Sequence, residues 1–579
     1  MLKLDRNRAA GRLGTLAILM MSCVAMPVGA QDAMATNVTP EQLLNAAEDG
    51  ANWLMYNRTY DGHRFAPQTE INKDTVKGLR VAYALPLAPP TTGTGNYKYT
   101  ALEGTPIVLD GHMFVTDGNG RVYKLDLTSG KRAVIEWIMD PENEAVPTMV
   151  EPQNNKGVAI LGNMVYSLTS DGRLVATDAD TGEETWEVVV QDDPKQGFTM
   201  APLAIGENIL IGSANGDTGG RHFFEARSAK DGAPVWKVYT SPAPGEPGSD
   251  SWQDDQNNYL NAGASPWSTP TYDPETGIVY WGTGNPWPNY NPAKRPGDNL
   301  YTNSVMAVNA ASGTLDWYFQ YTPNDSWDYD EVGAHILVDA EMDGATKKLV
   351  THFGRNGFYY TLDRTDGTFL KGEQYVDKVT WTKGLDPKTG KPVEYDPALG
   401  VQTYIPDVRP GGGSEACPAI QGGVNYFPVS YSETTRMLYA SAIEGCSVVA
   451  TTGTKLGDTA AGSVVQLDPT TGKIVNKRAT GYIPYGGTLS TAGGLVFASQ
   501  VDGTFAAMDA DTLDVLWSIN LGSQITAPPI SYEVNGKQYV ALMVGASPII
   551  DLLGYNAKSG DPDAAANMQP SAMIYFFAL

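Results

Sequence analysis

Residues Thr322–Asp330 read T-P-N-D-S-W-D-Y-D and set Asp328 and Asp330 two positions apart. On an extended segment that spacing directs both side chains to the same side. A carboxylate so placed can take the proton of a hydroxyl at bonding distance, and several together offer oxygen donors to a hard cation. Asp330 can equally be a solvated or Lys-paired acid. Asp217, in G-S-A-N-G-D-T-G-G-R, is a third candidate, although N-G-D-T-G also reads as turn chemistry. Other chemistries are poorly served. There is no G-x-S-x-G elbow for a nucleophilic serine, the five histidines form no zinc pattern, and no C-x-x-C-H is present to attach a c-type haem. His335, close behind Asp328, suits a structural role.

The elements that must position these residues are legible as a repeat. A short apolar strand runs into an Asp-x-x-Thr-Gly-like turn, and the next strand is often begun by Trp. The unit recurs seven times: YKLDLTSGK at Asp126, VATDADTGEETW at Asp178, EARSAKDGAPVW near Ser228, AVNAASGTLDW at Asn309, YTLDRTDG at Asp363, VQLDPTTGK at Asp468 and AAMDADTLDVLW at Asp509. Intervals of roughly 40–55 residues with four short strands each are those of propeller blades. The expected fold is all-β, an eight-bladed β-propeller with tryptophan-docking-like repeats. Its eighth blade takes strands from both ends of the chain, with A-M-I-Y-F-F at 572–577 closing the ring and removing exposed sheet edges. Wider gaps predict insertions around residues 240–265 and 371–415, and long propeller connections lie on the faces where sites are built.

The chain opens with Lys3, Arg6, Arg8 and Arg12, an apolar run from Leu16 to Ala25, and small residues up to Ala30. These are the three regions of a signal peptide, so residues 1–30 are expected to be removed on export to the periplasm, leaving 31–579 as a single propeller. The apolar run falls short of the roughly 20 residues a bilayer needs, and no later stretch spans a membrane. Residues 1–30 hold four Lys/Arg and one Asp, so their loss moves the formal charge from -25 to -28. Nucleic acid is thereby excluded as a partner, and a basic redox protein is favoured. Cys417 and Cys446 remain as an even pair in an oxidising compartment, for which one disulfide is the simplest reading.

Four stretches carry a family resemblance: W-L-M-Y-N-R-T-Y-D-G-H-R-F-A-P from Trp53, Y-W-G-T-G-N-P from Tyr280, G-D-N-L-Y from Gly297 through to Asp330, and G-R-N-G-F-Y-Y-T-L-D-R-T-D-G from Gly354. From about residue 50 to its end the chain resembles the PQQ-dependent (quinoprotein) alcohol dehydrogenases, of a soluble, haem-free type. The resemblance implies oxidation of an alcohol with pyrroloquinoline quinone (PQQ) and a bound cation, calcium or a lanthanide. Asp328 matches the family's catalytic base. The metal ligands fall on Asn285, on Asp217 where relatives usually carry Glu, and on Asp328, with Asp330 as the extra acid of lanthanide users. Resemblance assigns the aromatic wall of the PQQ pocket to Trp267, and polar contacts to Glu103, Thr199, Ser265, Arg355 and Asn425. Lys156 stands where many relatives have a PQQ-contacting Arg. Without haem, electrons must pass to a separate carrier, expected to be a soluble cytochrome c.

Three departures bear on substrate. The segment V-P-T-M-V-E-P, Val146–Pro152, lacks the vicinal Cys-Cys that many relatives hold over the quinone. Tyr485 stands before G-G-T-L where Trp is expected, and G-A-S-P-I-I-D, Gly545–Asp551, replaces G-G-W-P. These changes point from methanol or ethanol toward a bulkier or secondary alcohol such as a polyol, sugar, polymer or hydroxylated toxin. The alternative is a non-catalytic periplasmic propeller that serves as a scaffold in outer-membrane assembly.

Overall fold

A computed structural model describes residues 36–87, 101–143, 154–254, 257–342, 344–404, 414–450, 453–558, 560 and 568–579. The expected signal peptide and the Val146–Pro152 segment lie outside them. The described chain forms eight sheets, six of four strands and two of five. Each sheet is built on an antiparallel blade: residues 107–139, 159–189, 203–239, 271–320, 336–374, 414–480, 488–520, and last 530–578. The seventh gains a fifth, parallel strand, Phe65–Ala66, beside Thr488–Thr491.

The eighth blade closes the ring as expected. Ala572–Ala578 pairs on one side with Lys537–Gly545 and on the other with Arg80–Pro86, from Arg80 opposite Ala578 to Pro86 opposite Met573 with a register shift between Val81 and Tyr83. Its outermost strand is therefore N-terminal. Inner strands such as Ile107–Leu109 are buried throughout, whereas outer strands such as Val134–Met139 and Arg80–Pro86 alternate between more and less exposed positions. Position explains the difference: an inner strand is covered on both faces by neighbouring blades, and an outer one meets solvent.

The repeated turns act between blades. In the second blade, the Asp178 carboxylate accepts the backbone N–H groups of Asp180 and Thr181 and so fixes the turn. The Trp of one blade then docks on the turn of the next. Trp137 donates its indole N–H to the Ala179 carbonyl, Trp236 to that of Ala310, and Trp517 to that of Leu79 beside the closing strand. The turn glycine is required twice over. Gly313 has a φ of +71°, and a Cβ there would lie 2.8 Å from the Trp236 ring. The same conflict recurs at Gly182 with Trp137 and at Gly367 with Trp317, at 2.7 and 2.5 Å.

Both expected insertions are present, though the second begins after Gln374, because residues 371–374 still belong to a strand paired with Phe358–Asp363. Two excursions were not read from the sequence. One is a 14- and 15-residue hairpin, Met437–Ala450 with Gly453–Leu467, far longer than its neighbours. The other is the loop from residue 283 to 303 inside the fourth blade. Cys417 and Cys446 are joined, with Cα atoms 4.3 Å apart, and tie the hairpin to the connection entering its blade. A loop of about 30 residues closed in this way is worth roughly 3 kcal/mol in the chain-entropy view.

Two substitutions separate turn strain from docking. Gly277→Ala, at φ +72° with open space around it, is expected to cost about 1–2 kcal/mol in left-handed backbone strain. Gly313→Ala pays the same and about 1–3 kcal/mol more for overpacking Trp236. Urea midpoints of the two variants check this; equal losses would mean the Trp does not set the spacing.

Candidate active site

In an antiparallel four-stranded blade, the connection into the first strand and the one from the second strand to the third lie at the same end. Every candidate residue sits in one of these two connections. Glu103, Lys156, Thr199, Ser265, Trp267, Asp328 and Asp330 precede the first strands of their blades, Asn425 precedes the inner strand Ser430–Ser432 of the sixth, and Asp217, Asn285 and Arg355 follow second strands. They therefore gather on one face. A cavity of about 340 Å³ opens there, lined by all of them except Glu103.

The carboxylates form its charged side. Asp325 accepts the backbone N–H groups of Trp327, Asp328 and Tyr329 and folds this stretch into a tight turn in which Asp328 has a φ of +66°. The segment is thus not extended, and the period-two argument fails. Asp328 and Asp330 reach the same cavity because the turn is capped. Arg355 faces both: its Nη1 lies 3.8 Å from Asp328 Oδ1 and 3.2 Å from Asp330 Oδ2, and it donates to the Asp328 carbonyl at 2.6 Å. Asp330 also accepts the Asn285 backbone N–H at 2.5 Å and the Trp267 indole N–H at 3.2 Å. Asp328 Oδ2 accepts the Tyr290 hydroxyl at 3.2 Å, while Oδ1 is buried without a hydrogen bond.

Burial, and then the charges of Asp217 and Asp330, push the Asp328 carboxyl well above the usual carboxylate range against the opposing pull of Arg355. Burial likewise raises Asp330 to about 6, although Arg355 holds it down. Asp217 is exposed at the rim, where Asn289 donates to it at 2.7 Å. The three acids do not all come within 4.8 Å of one another; among the described residues the one such cluster is Glu415 with the disulfide-bonded Cys417 and Cys446.

The opposite wall is aromatic and cationic. Lys156, which stands where many relatives have a PQQ-contacting Arg, is only 2 % exposed. Its Nζ lies 4.9 Å from the Trp267 ring centroid, 4.7 Å from that of Tyr426 and 3.6 Å from Glu103 Oε2. Glu103 reaches the cavity only through this lysine, and its Oε1 is buried and unpartnered. The Thr199 carbonyl accepts the Lys156 N–H, and Ser265 Oγ accepts that of Gly216. Asn425 donates its amide to Gln421, which also accepts from Tyr485.

Gln421, Tyr426, Asn289 and Tyr290 were not singled out from the sequence, although Tyr426 directly follows Asn425 and Tyr290 lies five residues beyond Asn285. The stretch from Trp53 stays outside the cavity: Arg64 is buried over Trp53 and donates to the carbonyls of Tyr56 and Pro529. His335 is structural as expected, bonded to Tyr321 and stacked on His352 at 4.2 Å.

The family described as PQQ: glucose/ethanol/alcohol dehydrogenase, beta-propeller domain, matches residues 53–374 and 448–540. The chain belongs to the PQQ-dependent alcohol dehydrogenases. It is 33% identical to the quinohemoprotein alcohol dehydrogenase ADH IIB of Pseudomonas putida, over 97% of this chain and 82% of that one. It is 32% identical to lupanine 17-hydroxylase [cytochrome c] of a Pseudomonas species, over 92% and 78%. Among solved structures, a europium-containing methanol dehydrogenase superposes with a TM-score of 0.82 at 27% identity, over 93% of this chain and 100% of that one. The dehydrogenase is thus a quinoprotein oxidoreductase, and the scaffold alternative falls away.

Removing the one cation that, among the described residues, pairs with Asp328 and Asp330 should be costly. Arg355→Met is expected to destabilise the metal-free dehydrogenase by about 3–5 kcal/mol. The pH dependence has a definite sign. Without Arg355 the folded-state pKa values of both acids rise further above their unfolded values, so the protonated forms stabilise the fold at low pH and that contribution is lost as pH rises through the folded values. Urea unfolding should show a larger deficit at pH 8 than at pH 5; a pH-independent deficit would point to lost packing alone.

Proposed function

We propose that the dehydrogenase, exported to the periplasm through residues 1–30 and working as one propeller over 31–579, oxidises a bulky or secondary alcohol with PQQ and a hard cation. The observation that carries this reading is Asp328 Oδ1, a carboxylate oxygen of a cavity-lining residue that is buried without a hydrogen bond and faces Arg355 at 3.8 Å. An acceptor atom desolvated without a partner is unfavourable in a resting protein and suited to receive a hydroxyl proton.

The residues fit both groups. PQQ is flat and carries three carboxylates; Trp267 offers an aromatic face, Lys156, backed by Glu103, and Arg355 offer cations, and Thr199, Ser265 and Asn425 offer polar atoms. When bound, PQQ supplies the acceptor for the electrons leaving the carbinol carbon. Asp217, Asn285, Asp328 and Asp330 offer oxygen donors for calcium or a lanthanide. Three of the roughly four acceptor positions of Asp330 are taken by Asn285, Trp267 and Arg355, which leaves one for a cation. That ion would offset the like charges that raise Asp328 and keep the carboxylate ionised. Asp328 then takes the proton, and Arg355 holds its backbone in place.

Apolar side chains support a sizeable substrate. Ile420, Ile549 and Leu553 line the cavity, with Ile549 supplied by the G-A-S-P-I-I-D stretch and Thr454 by the long hairpin. A relative named for lupanine agrees with a bulky substrate, and the cytochrome c in its name agrees with a cytochrome c as electron acceptor. An acidic chain would steer such a basic carrier at long range, an attraction that added salt should weaken.

Purified protein loaded with PQQ and either ion, given a panel of alcohols and a redox dye, tests the reading; no reduction with any alcohol would refute it. Asp328→Asn should bind PQQ as the parent does and lose most activity, and a fully active variant would remove the base. Asp330→Ala should lose more activity with a lanthanide than with calcium. Parental activity with both ions would show that Asp330 is no ligand.

A further inference from the structure

The loop that leaves the second strand of the fourth blade gives one hydrogen bond to each acid at the cavity. The Asn285 backbone N–H goes to Asp330, the Asn289 amide to Asp217, and the Tyr290 hydroxyl to Asp328 Oδ2. Its shape is held by one buried guanidinium. Arg295 donates from Nε to the Pro288 carbonyl at 3.0 Å, from Nη2 to the Asn289 carbonyl at 2.9 Å, and also to the carbonyl of Asp325. Asp325 is the residue whose carboxylate caps the Asp328 turn. The donor loop and the turn that presents the base are therefore clasped by the same side chain.

We infer that Tyr290 is a positioning residue for the dehydrogenase reaction, its hydroxyl holding Asp328 Oδ2 so that Oδ1 alone faces the substrate hydroxyl; the inference rests on Asp328 being the base. A carboxylate on a turn can rotate about its last side-chain bond, exchanging its two oxygens. A hydrogen bond to one oxygen favours a single orientation, and Arg355, 3.8 Å from the other, makes none that would compete. The Tyr290 ring packs beside the aromatic cluster that contains Trp327 and Trp381. Packing and hydrogen bonding are thus separable, since phenylalanine keeps the first and loses the second.

Three variants of the PQQ- and metal-loaded enzyme test this. Tyr290→Phe should lower kcat about 10- to 100-fold, the scale of a misplaced reacting group, with KM changed less than about threefold. PQQ binding, followed by quenching of tryptophan fluorescence, and the thermal midpoint should stay at parental values. The double variant Tyr290→Phe with Asp328→Asn should be no slower than Asp328→Asn alone, because a residue that acts only through Asp328 has nothing left to position. Parental kcat in Tyr290→Phe, with Asp328→Asn inactive, overturns the inference and leaves the base assignment standing. Additive losses in the double variant overturn it too, by giving Tyr290 a role of its own. Full activity in Asp328→Asn removes both together.

Discussion

The docking of a tryptophan from one blade onto the next, in the blades that carry one, is the contact on which the rest of the molecule depends. A propeller has no central element to hold it; its blades keep station only by packing sideways around a closed ring. Trp137, Trp236 and Trp517 each pair an indole N–H with a carbonyl of the following blade, and the turn glycines leave the space the rings occupy. The cavity borrows its walls from most of the blades, so small errors in blade spacing would add up at its mouth. Closure by an N-terminal strand, Arg80–Pro86, stops that accumulation by joining the two ends of the chain in one sheet.

Within this frame the cavity concentrates charge that a folded protein ordinarily avoids. Asp328 and Asp330 are buried together with one facing arginine, and both carboxyls are raised by burial. Such an arrangement is unfavourable by itself and becomes useful when a cation or a proton joins it. The fold supports it with capped turns and buried side chains rather than with regular strands. Asp325 and Arg295 touch no reacting group, yet between them they set the direction of the base and of the loop opposite it.

The mouth is built by different means. The long hairpin of the sixth blade, stapled by the disulfide, and the short helix Pro548–Leu552 bring Thr454 and Ile549 over the cavity. Neither belongs to the repeat. Changes there can alter which alcohol enters without disturbing the docking contacts that keep the blades in register, which is how one propeller accommodates different substrates.

Repeats, ring closure, the family and ten of the cavity-lining residues were legible in the sequence, because each depends on local patterns: recurrent turns, a strand left over at 572–577, and motifs contiguous in the chain. Gln421, Tyr426, Asn289 and Tyr290 were not, because they enter the cavity from connections with no pattern of their own. The disulfide was legible for an arithmetic reason, since of three cysteines Cys23 falls in the expected signal peptide and the other two admit one pairing. What the tertiary structure decided was orientation. The sequence offered an extended Asp328–Asp330 pair; the structure places both acids together through a left-handed turn capped by Asp325. It also buried Lys156 between aromatic rings, left Asp217 at the rim, and brought Tyr290 against Asp328 from a loop 38 residues away in sequence. Spacing along a chain fixes side-chain direction only while the backbone is regular, and at this cavity it is not: hydrogen bonds between distant connections set the geometry.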